Sequence, residues 1–324
     1  MSIKKLDKVD KKILFALDMD ARAPITKIAK KTRLSREVVN YRIKNMEERG
    51  LIRGYYTAID ISKLGYIYTR IFLKFKNISE EKEKEIINFL KQKKNIAWLG
   101  DTEGWHFDLV AVVWIKNIKE LSKLNDDIRF TFPNEFQDIK ISMATELHHF
   151  NHKFIYGKTN PSSFTIDTAS SENERIELDK TDNKLLRLMS NNARIPLVEL
   201  AEKLKLTPNS VKHRIKRLKQ QGIIICFRPN IDLNLFDLRY FHIFLNVDQL
   251  DKKTEKELLT YLMFDNNVFY ITKSFESELE FEIVVDSFKE LHDCMKKMKA
   301  RFTNIVDYST LIINNVFKVS YFID

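Results

Sequence analysis

The residues best suited to chemistry in this chain are cations, hydroxyls and amides on two short predicted helices. Residues 25–50, ITKIAKKTRLSREVVNYRIKNMEERG, pattern as two helices meeting across a turn, with Leu34 in the turn. Ser35 is placed to cap the second helix, where its oxygen can accept an otherwise orphan backbone N–H. Val39, Ile43 and Met46 recur at four and three residues and form one apolar stripe. The other faces carry Arg36, Asn40, Tyr41, Arg42 and Lys44. A helix held by such a stripe leaves a basic, amide-bearing side free to enter the major groove of double-stranded DNA. Ser35, Arg36, Asn40 and Tyr41 are the candidates for base edges, since Arg matches guanine and Asn matches adenine. Arg42 and Lys44 are better suited to neutralising phosphate, which positions a protein without reading sequence.

The pattern occurs twice. Residues 197–222, LVELAEKLKLTPNSVKHRIKRLKQQG, repeat it without a gap. The register holds from Leu6/Leu178 through Pro24/Pro196, Val39/Val211 and Gly50/Gly222 to Asp60/Asp232, which marks an internal duplication. Thr207, Asn209, Ser210, Lys212 and His213 are the second set of base-edge candidates, with Arg214, Lys216 and Arg217 for phosphate. The two helices differ (SREVVNYRIK against TPNSVKHRIK), so they are expected to prefer different half-sites and a target that is not a perfect palindrome. A solvated basic face on a protein-interaction domain is the blander alternative.

The elements that must position these helices follow one plan in both halves. A helix over residues 6–20, the helix-turn-helix, and a strand-like segment at 51–60 make a winged helix, with the last segment as its wing. Strands are then expected at 66–76, 96–100, 105–115 and 139–150, and helices at 79–91 and 118–130. The order is β-α-β-β-α-β, a ferredoxin-like unit, and the second half repeats it. The fold class is therefore α+β. The expected domains are winged helices at 1–61 and 178–233, ferredoxin-like domains at 62–157 and 234–324, and a polar linker at 158–177. The two ferredoxin-like sheets are expected to pack face to face.

Composition narrows the function classes. The chain has 324 residues, 44% hydrophobic and 31% charged, the balance of an ordinary globular protein. Its net charge of +10 favours a polyanionic partner. Apolar runs fall far short of the ~20 residues a membrane helix needs, and the N-terminus has no secretory pattern. Two distant cysteines, Cys226 and Cys294, offer neither a disulfide framework nor a metal spacing. A cytoplasmic location, no membrane association and no cofactor are expected. His148, His149 and His152 are the most metal-like group, but they lack a fourth ligand and are expected to be an exposed strand-end cluster. Trp98, Trp105 and Trp114 are expected to pack on the sheet, with Trp105 as a possible pocket wall.

A winged helix followed by a β-α-β-β-α-β domain resembles the Lrp/AsnC family of bacterial and archaeal regulators. The stretches that carry the likeness are LDKVDKKIL, ARAPITKIAKKTRLSREVVNYRIKNMEERGLIRGYYTAID and GDTEGWHFDLVAVV. The resemblance implies DNA-binding transcription control, pairing through the second domains and sensing of a small molecule, often an amino acid, near the loop between that domain's second and third strands. Here that loop points to Gly100, Asp101, Thr102, Gly104, Trp105 and Asp108. Gly104 permits a turn and close approach, while Asp108 can bind a ligand amine or cap the turn. The second half has no glycine there, and Phe275 and Phe281 are expected to fill the equivalent space. A tandem chain can form by itself the pair that usually takes two chains, and further homo-oligomers through the same domains are expected. Two other functions fit the same architecture. One is a chromatin-like architectural protein with little sequence preference. The other is an enzyme resembling siroheme decarboxylases, against which stand the basic helix faces and the lack of a phosphate loop, HExxH or nucleophile elbow.

Overall fold

A computed structural model describes residues 6–104, 106–157, 163–168, 175–236, 238–275 and 279–323. The first half opens with α1 (Lys8–Met19), α2 (Ile25–Thr32) and α3 (Arg36–Glu48). Asp7 caps α1 by accepting from Val9 and Asp10 N–H, and Ser35 caps α3 by accepting from Val38 N–H. Ile13, Leu14 and Leu17 of α1 bury against Ile28 and Ala29 of α2 and the Val39, Ile43, Met46 stripe of α3. Gly50, at φ +72°, turns the chain after α3 in a left-handed conformation that costs glycine little. The chain continues through β1 (Ile52–Ile59), β2 (Ile67–Phe75), α4 (Glu80–Gln92), β3 (Ile96–Gly104), β4 (Leu109–Ile115), α5 (Ile118–Thr131), β5 (Phe136–Phe150), the single turn α6 (Lys153–Tyr156) and β6 (Ser163–Asp167). The second half runs α7 (Lys180–Ser190), α8 (Leu197–Leu204), α9 (Pro208–Gln220), β7 (Ile224–Ile231), β8 (Arg239–Val247), α10 (Lys252–Phe264), β9 (Val268–Ser274), β10 (Leu279–Val285), α11 (Phe288–Arg301) and β11 (Ile305–Val319).

The expected wings are not hairpins. Each helical domain owns one strand, whose edge would otherwise leave a row of N–H and C=O groups unpaired. The two strands solve this together: β1 and β7 pair antiparallel, with Tyr56 opposite Arg228 and Ala58 opposite Cys226. Ala21 N–H donates to Phe227 O, and its duplicate Ala193 N–H donates to Tyr55 O. Arg22 donates to the carbonyls of Ala193 and Ile195, and Arg194 to that of Ala21. The helical domains thus share one core, in which Leu14, Leu17 and Ile59 join Leu185, Leu186 and Phe227.

The remaining strands form one continuous sheet rather than two stacked ones. Each half has the strand order expected of a ferredoxin-like unit, β5-β2-β4-β3 and β11-β8-β10-β9. The long strands β5 and β11, 15 residues each, then cross between halves. β5 pairs with β2 over residues 136–143 and with β9 over residues 144–149. β11 pairs with β8 and, further along, with β3. Eight of the nine strands of this sheet therefore close into a ring, with β6 hanging on β5. The outward side of the first half's strands is covered by α4 and α5, and that of the second half by α10 and α11. Part of the expected linker is thus strand β6, while its residues 158–162 and 169–174 lie outside the described residues.

Candidate nucleic-acid interface and inner cavity

Helices α3 and α9 present their expected outer faces to solvent. Ser35, Arg36, Asn40, Tyr41 and Lys44 are exposed, as are Thr207, Asn209, Ser210, Lys212, His213, Lys216 and Arg217. Tyr41 at 66% and Val38 at 41% exposure are large apolar groups without a core role, suited to a groove wall. The Ser35 and Thr207 hydroxyls accept the N–H groups of Val38 and Ser210, each at 3.2 Å, so both have a capping role first.

Three of the expected phosphate ligands have an intramolecular task. Arg42 Nη1 lies 2.6 Å from Asp7 and 3.3 Å from Asp10. Its duplicate Arg214 lies 2.6 Å from Asp179 and 2.8 Å from Asp182, and Arg217 also meets Asp182. The Arg214 guanidinium holds the Asp179 carboxyl below the usual carboxylate range. These pairs fasten each recognition helix to the first helix of its domain. That leaves Arg36, Lys44, Lys212 and Lys216 as the exposed cations of the candidate set outside these pairs.

The described candidate effector residues bond within the β3–β4 hairpin and to the strands beside it. Asp101 accepts from Asn315 N–H and Nδ2, at 2.6 and 2.9 Å. Thr102 donates to Phe107 O, and Asp108 accepts from Lys74 Nζ and Phe75 N–H, at 2.9 and 2.7 Å. A Cβ on Gly100 would sit 2.5 Å from the Trp98 ring, and Gly104, at φ +100°, closes on Thr310 O. Trp105 lies outside the described residues. These groups tie β3 to β11 and β4 to β2, and none of them lines the cavity described next. In the second half Phe281 is buried, whereas Phe275 is 86% exposed and fills no equivalent space.

The cavity lies against the inner face of the ring of strands, at about 210 Å³, and Tyr56 and Thr57 of β1 and Tyr321 also line it. Sequence reasoning missed it. Tyr68, Arg70 and Phe72 share the inner face of β2, and Tyr240, His242 and Phe244 share that of β8. Arg70 is 3% exposed, and its Nη1 lies 2.6 Å from Glu280 on β10 and 3.1 Å from His242 Nε2. Glu280, wholly buried, also accepts from Ser274 Oγ at 2.7 Å. Burial opposes the Arg70 charge, but the Glu280 carboxylate more than offsets it and the guanidinium titrates above its ordinary value. The signal was a cation and two carboxylates, Glu280 and Glu282, on strand faces otherwise apolar or aromatic.

The tryptophans and histidines also land differently. Trp98 and Trp114 line the cavity, in the role expected of Trp105. His148 and His149 are buried, not exposed, and the three histidines turn to separate partners. His148 meets Thr165 at 3.0 Å, His149 stacks on Tyr270 at 4.0 Å and His152 pairs with Asp18 at 3.1 Å. Burial pushes His149 well below its usual pKa. Burial also raises the Cys226 thiol and pushes Cys294 up to about 11, so neither is an activated thiolate. Among the described residues no helix is long and apolar enough to cross a membrane.

Comparison with known proteins follows the same division. The winged helix-turn-helix DNA-binding family matches residues 6–53 and 178–225. The HTH-type transcriptional regulator LrpA of Pyrococcus horikoshii is 35% identical over 119 residues, 37% of this chain and 82% of the relative. The regulator Ptr1 of Methanocaldococcus jannaschii is 32% identical over 118 residues, 36% of this chain and 78% of the relative. A crystal structure of the siroheme decarboxylase NirDL superposes with TM-score 0.64 at 14% identity, over 96% of this chain and 93% of that one. At that identity the likeness is one of fold, and the fold is one that an enzyme also uses. Two matched helix-turn-helix units, each with an exposed recognition face, and relatives that are themselves regulators place the chain in the Lrp/AsnC family of DNA-binding transcription regulators.

Proposed function

We propose that this regulator reads double-stranded DNA in a sequence-specific manner as a single-chain pseudo-dimer, in the cytoplasm and without catalysis of its own. The observation that carries this reading is the β1–β7 pairing, which locks two recognition helices of different sequence into one body. Base edges fall to Arg36, Asn40 and Tyr41 on α3 and to Asn209, Ser210, Lys212 and His213 on α9. Lys44 and Lys216 hold phosphate, and Arg42, Arg214 and Arg217 set helix orientation before any contact with DNA. If both helices read one face of the duplex, their half-sites lie about 34 Å apart or a multiple of it. Response to a small molecule of the amino-acid class, and assembly of several chains, extend the same reading. The test is a binding titration on the protein's own promoter beside a scrambled duplex, at two salt concentrations. A promoter complex tighter by ~10³ or more supports the reading. Equal, steeply salt-dependent binding to both duplexes supports an architectural protein instead.

A second reading is favoured by one observation, the near full-length likeness to NirDL, a protein also crystallised with an iron-uroporphyrin III analogue. Here the chain would be a tetrapyrrole decarboxylase. The 210 Å³ cavity is below the ~300–1,000 Å³ common for ligand sites and small for a tetrapyrrole. Release of carbon dioxide from siroheme, with a proton taking its place and the product lighter by the mass of one carbon dioxide, decides for or against it.

A further inference from the structure

The inner cavity is the feature that DNA recognition leaves unused. It is built from both halves, with Arg70 and Trp114 contributed by the first and Tyr240, His242, Tyr270 and Glu282 by the second. Three buried polar atoms on its lining residues have no partner: Arg70 Nε, Arg70 Nη2 and Trp114 Nε1. All three are donors, and two belong to a guanidinium that is 97% buried, given its 3% exposure. Unsatisfied donors of this kind are costly and call for an acceptor, preferably an anionic one. Arg70 already meets Glu280 through Nη1, which leaves its second edge for another carboxylate. Glu282, the carboxylate that also lines the cavity, accepts from Tyr240 O–H and sits on the far side of His242, whose Nδ1 is 3.8 Å away. Much of the rest of the wall is aromatic or aliphatic, including Tyr68, Trp98, Val112 and Ile313, with Thr57, Thr272 and Ser320 as hydroxyls among them. Flat π faces accept a planar apolar body by stacking. The space exceeds the roughly 150 Å³ known to admit benzene in an apolar protein cavity.

We propose that this cavity is a binding site for a small aromatic carboxylate, with the carboxylate on Arg70 and Trp114 Nε1 and the aromatic body among the inward side chains of the closed sheet. The site differs from the β3–β4 hairpin, whose polar groups bond to their own chain. It does not depend on DNA binding, and its test contains no DNA.

The test uses the full chain with benzoate and phenylacetate as probes, read by thermal unfolding and tryptophan fluorescence. Acetate, which lacks the ring, and benzylamine, which lacks the anion, serve as controls. Saturable stabilisation and a fluorescence change with the two aromatic acids alone are expected. Trp114→Phe keeps the ring and loses the N–H, and should weaken binding about tenfold, the size of one hydrogen bond to a charged group. The paired variant Arg70→Gln/Glu280→Gln removes both charges together and should abolish binding while circular dichroism stays native. No saturable binding of either acid overturns the proposal. So does affinity unchanged in both variants, which would put the acids elsewhere. Binding of iron-uroporphyrin III at this cavity in place of the small acids also overturns it and assigns the space to the tetrapyrrole reading.

Discussion

The two halves of this chain are alike where they grip each other and unlike where they face inward. In the helical domains, duplicated residues make duplicated contacts: Asp7, Asp10 and Arg42 repeat as Asp179, Asp182 and Arg214, and Arg22 repeats as Arg194. On the inner strand faces the correspondence breaks. Arg70 answers to His242, and the residues on the third strand that pair with Arg70 and Phe72, Val112 and Val110, answer to Glu282 and Glu280. A pair of identical chains would carry the same residues on both inner faces. A fused duplication can put a cation on one face and its carboxylate on the other, and Arg70–Glu280 uses that freedom. Asp18 is a second example, since its duplicate is Ser190. Asp18 joins His152 and lies near Arg228, while Ser190 donates to Arg187 O.

The largest way to break this comparison is Arg70→Met, which leaves Glu280 buried without its cation. A loss of about 3–5 kcal/mol in urea unfolding is expected, most of it restored in Arg70→Met/Glu280→Leu, since an apolar pair can replace a buried ion pair. A double variant as unstable as the single one would remove the pair from the account. In the recognition helices, Asn40→Ala and His213→Ala should each cost about 1–3 kcal/mol at one half-site and leave the other unchanged. Footprinting on half-site-swapped duplexes checks this, and equal losses at both halves would contradict distinct readers. Asp18 sharpens the comparison through pH. It is fully buried, but His152 and then Arg228 outweigh desolvation and hold its pKa at about 2, below its ordinary 3.8. A depressed carboxylate contributes stability above its unfolded value and loses it on acidification. About 2 kcal/mol should therefore disappear between about pH 4 and pH 2, and Asp18→Asn should flatten that slope. Lys44→Ala and Lys216→Ala should weaken binding evenly across sequences, each lowering the salt slope by about 1. The smallest effect is Arg42→Ala. Its pairs with Asp7 and Asp10 are partly solvated, so stability should fall by only about 0.2–1 kcal/mol in thermal unfolding.

Local order in the helical domains was legible in the sequence. The Ser35 cap, the Val39, Ile43, Met46 stripe and the turn at Gly50 are short-range features set by spacing and backbone preference. The same held for α4, expected over 79–91 and formed over Glu80–Gln92. What a strand pairs with was not legible. Residues 51–60 have a strand's composition, but nothing in them says that the partner lies 172 residues away in β7. The long β5 and β11 likewise show period two throughout without marking where each changes partner. The candidate effector hairpin was singled out by its glycines and Asp108, but nothing in its sequence marks that Asp101 bonds to Asn315 or that Asp108 bonds to Lys74 and Phe75. The inner cavity was hidden because its polar groups are scattered over β2, β8 and β10, and only closure of the ring brings Arg70 to His242 and Glu280.

The central claim is that one chain carries two different DNA readers in a fixed pair. Selection of binding sites from a random duplex pool by the full-length protein tests it most directly. The account predicts two unlike half-sites at constant spacing, with Asn40→Ala erasing preference in one and His213→Ala in the other. Recovery of strictly palindromic sites, or of no enriched sequence at all, would contradict it.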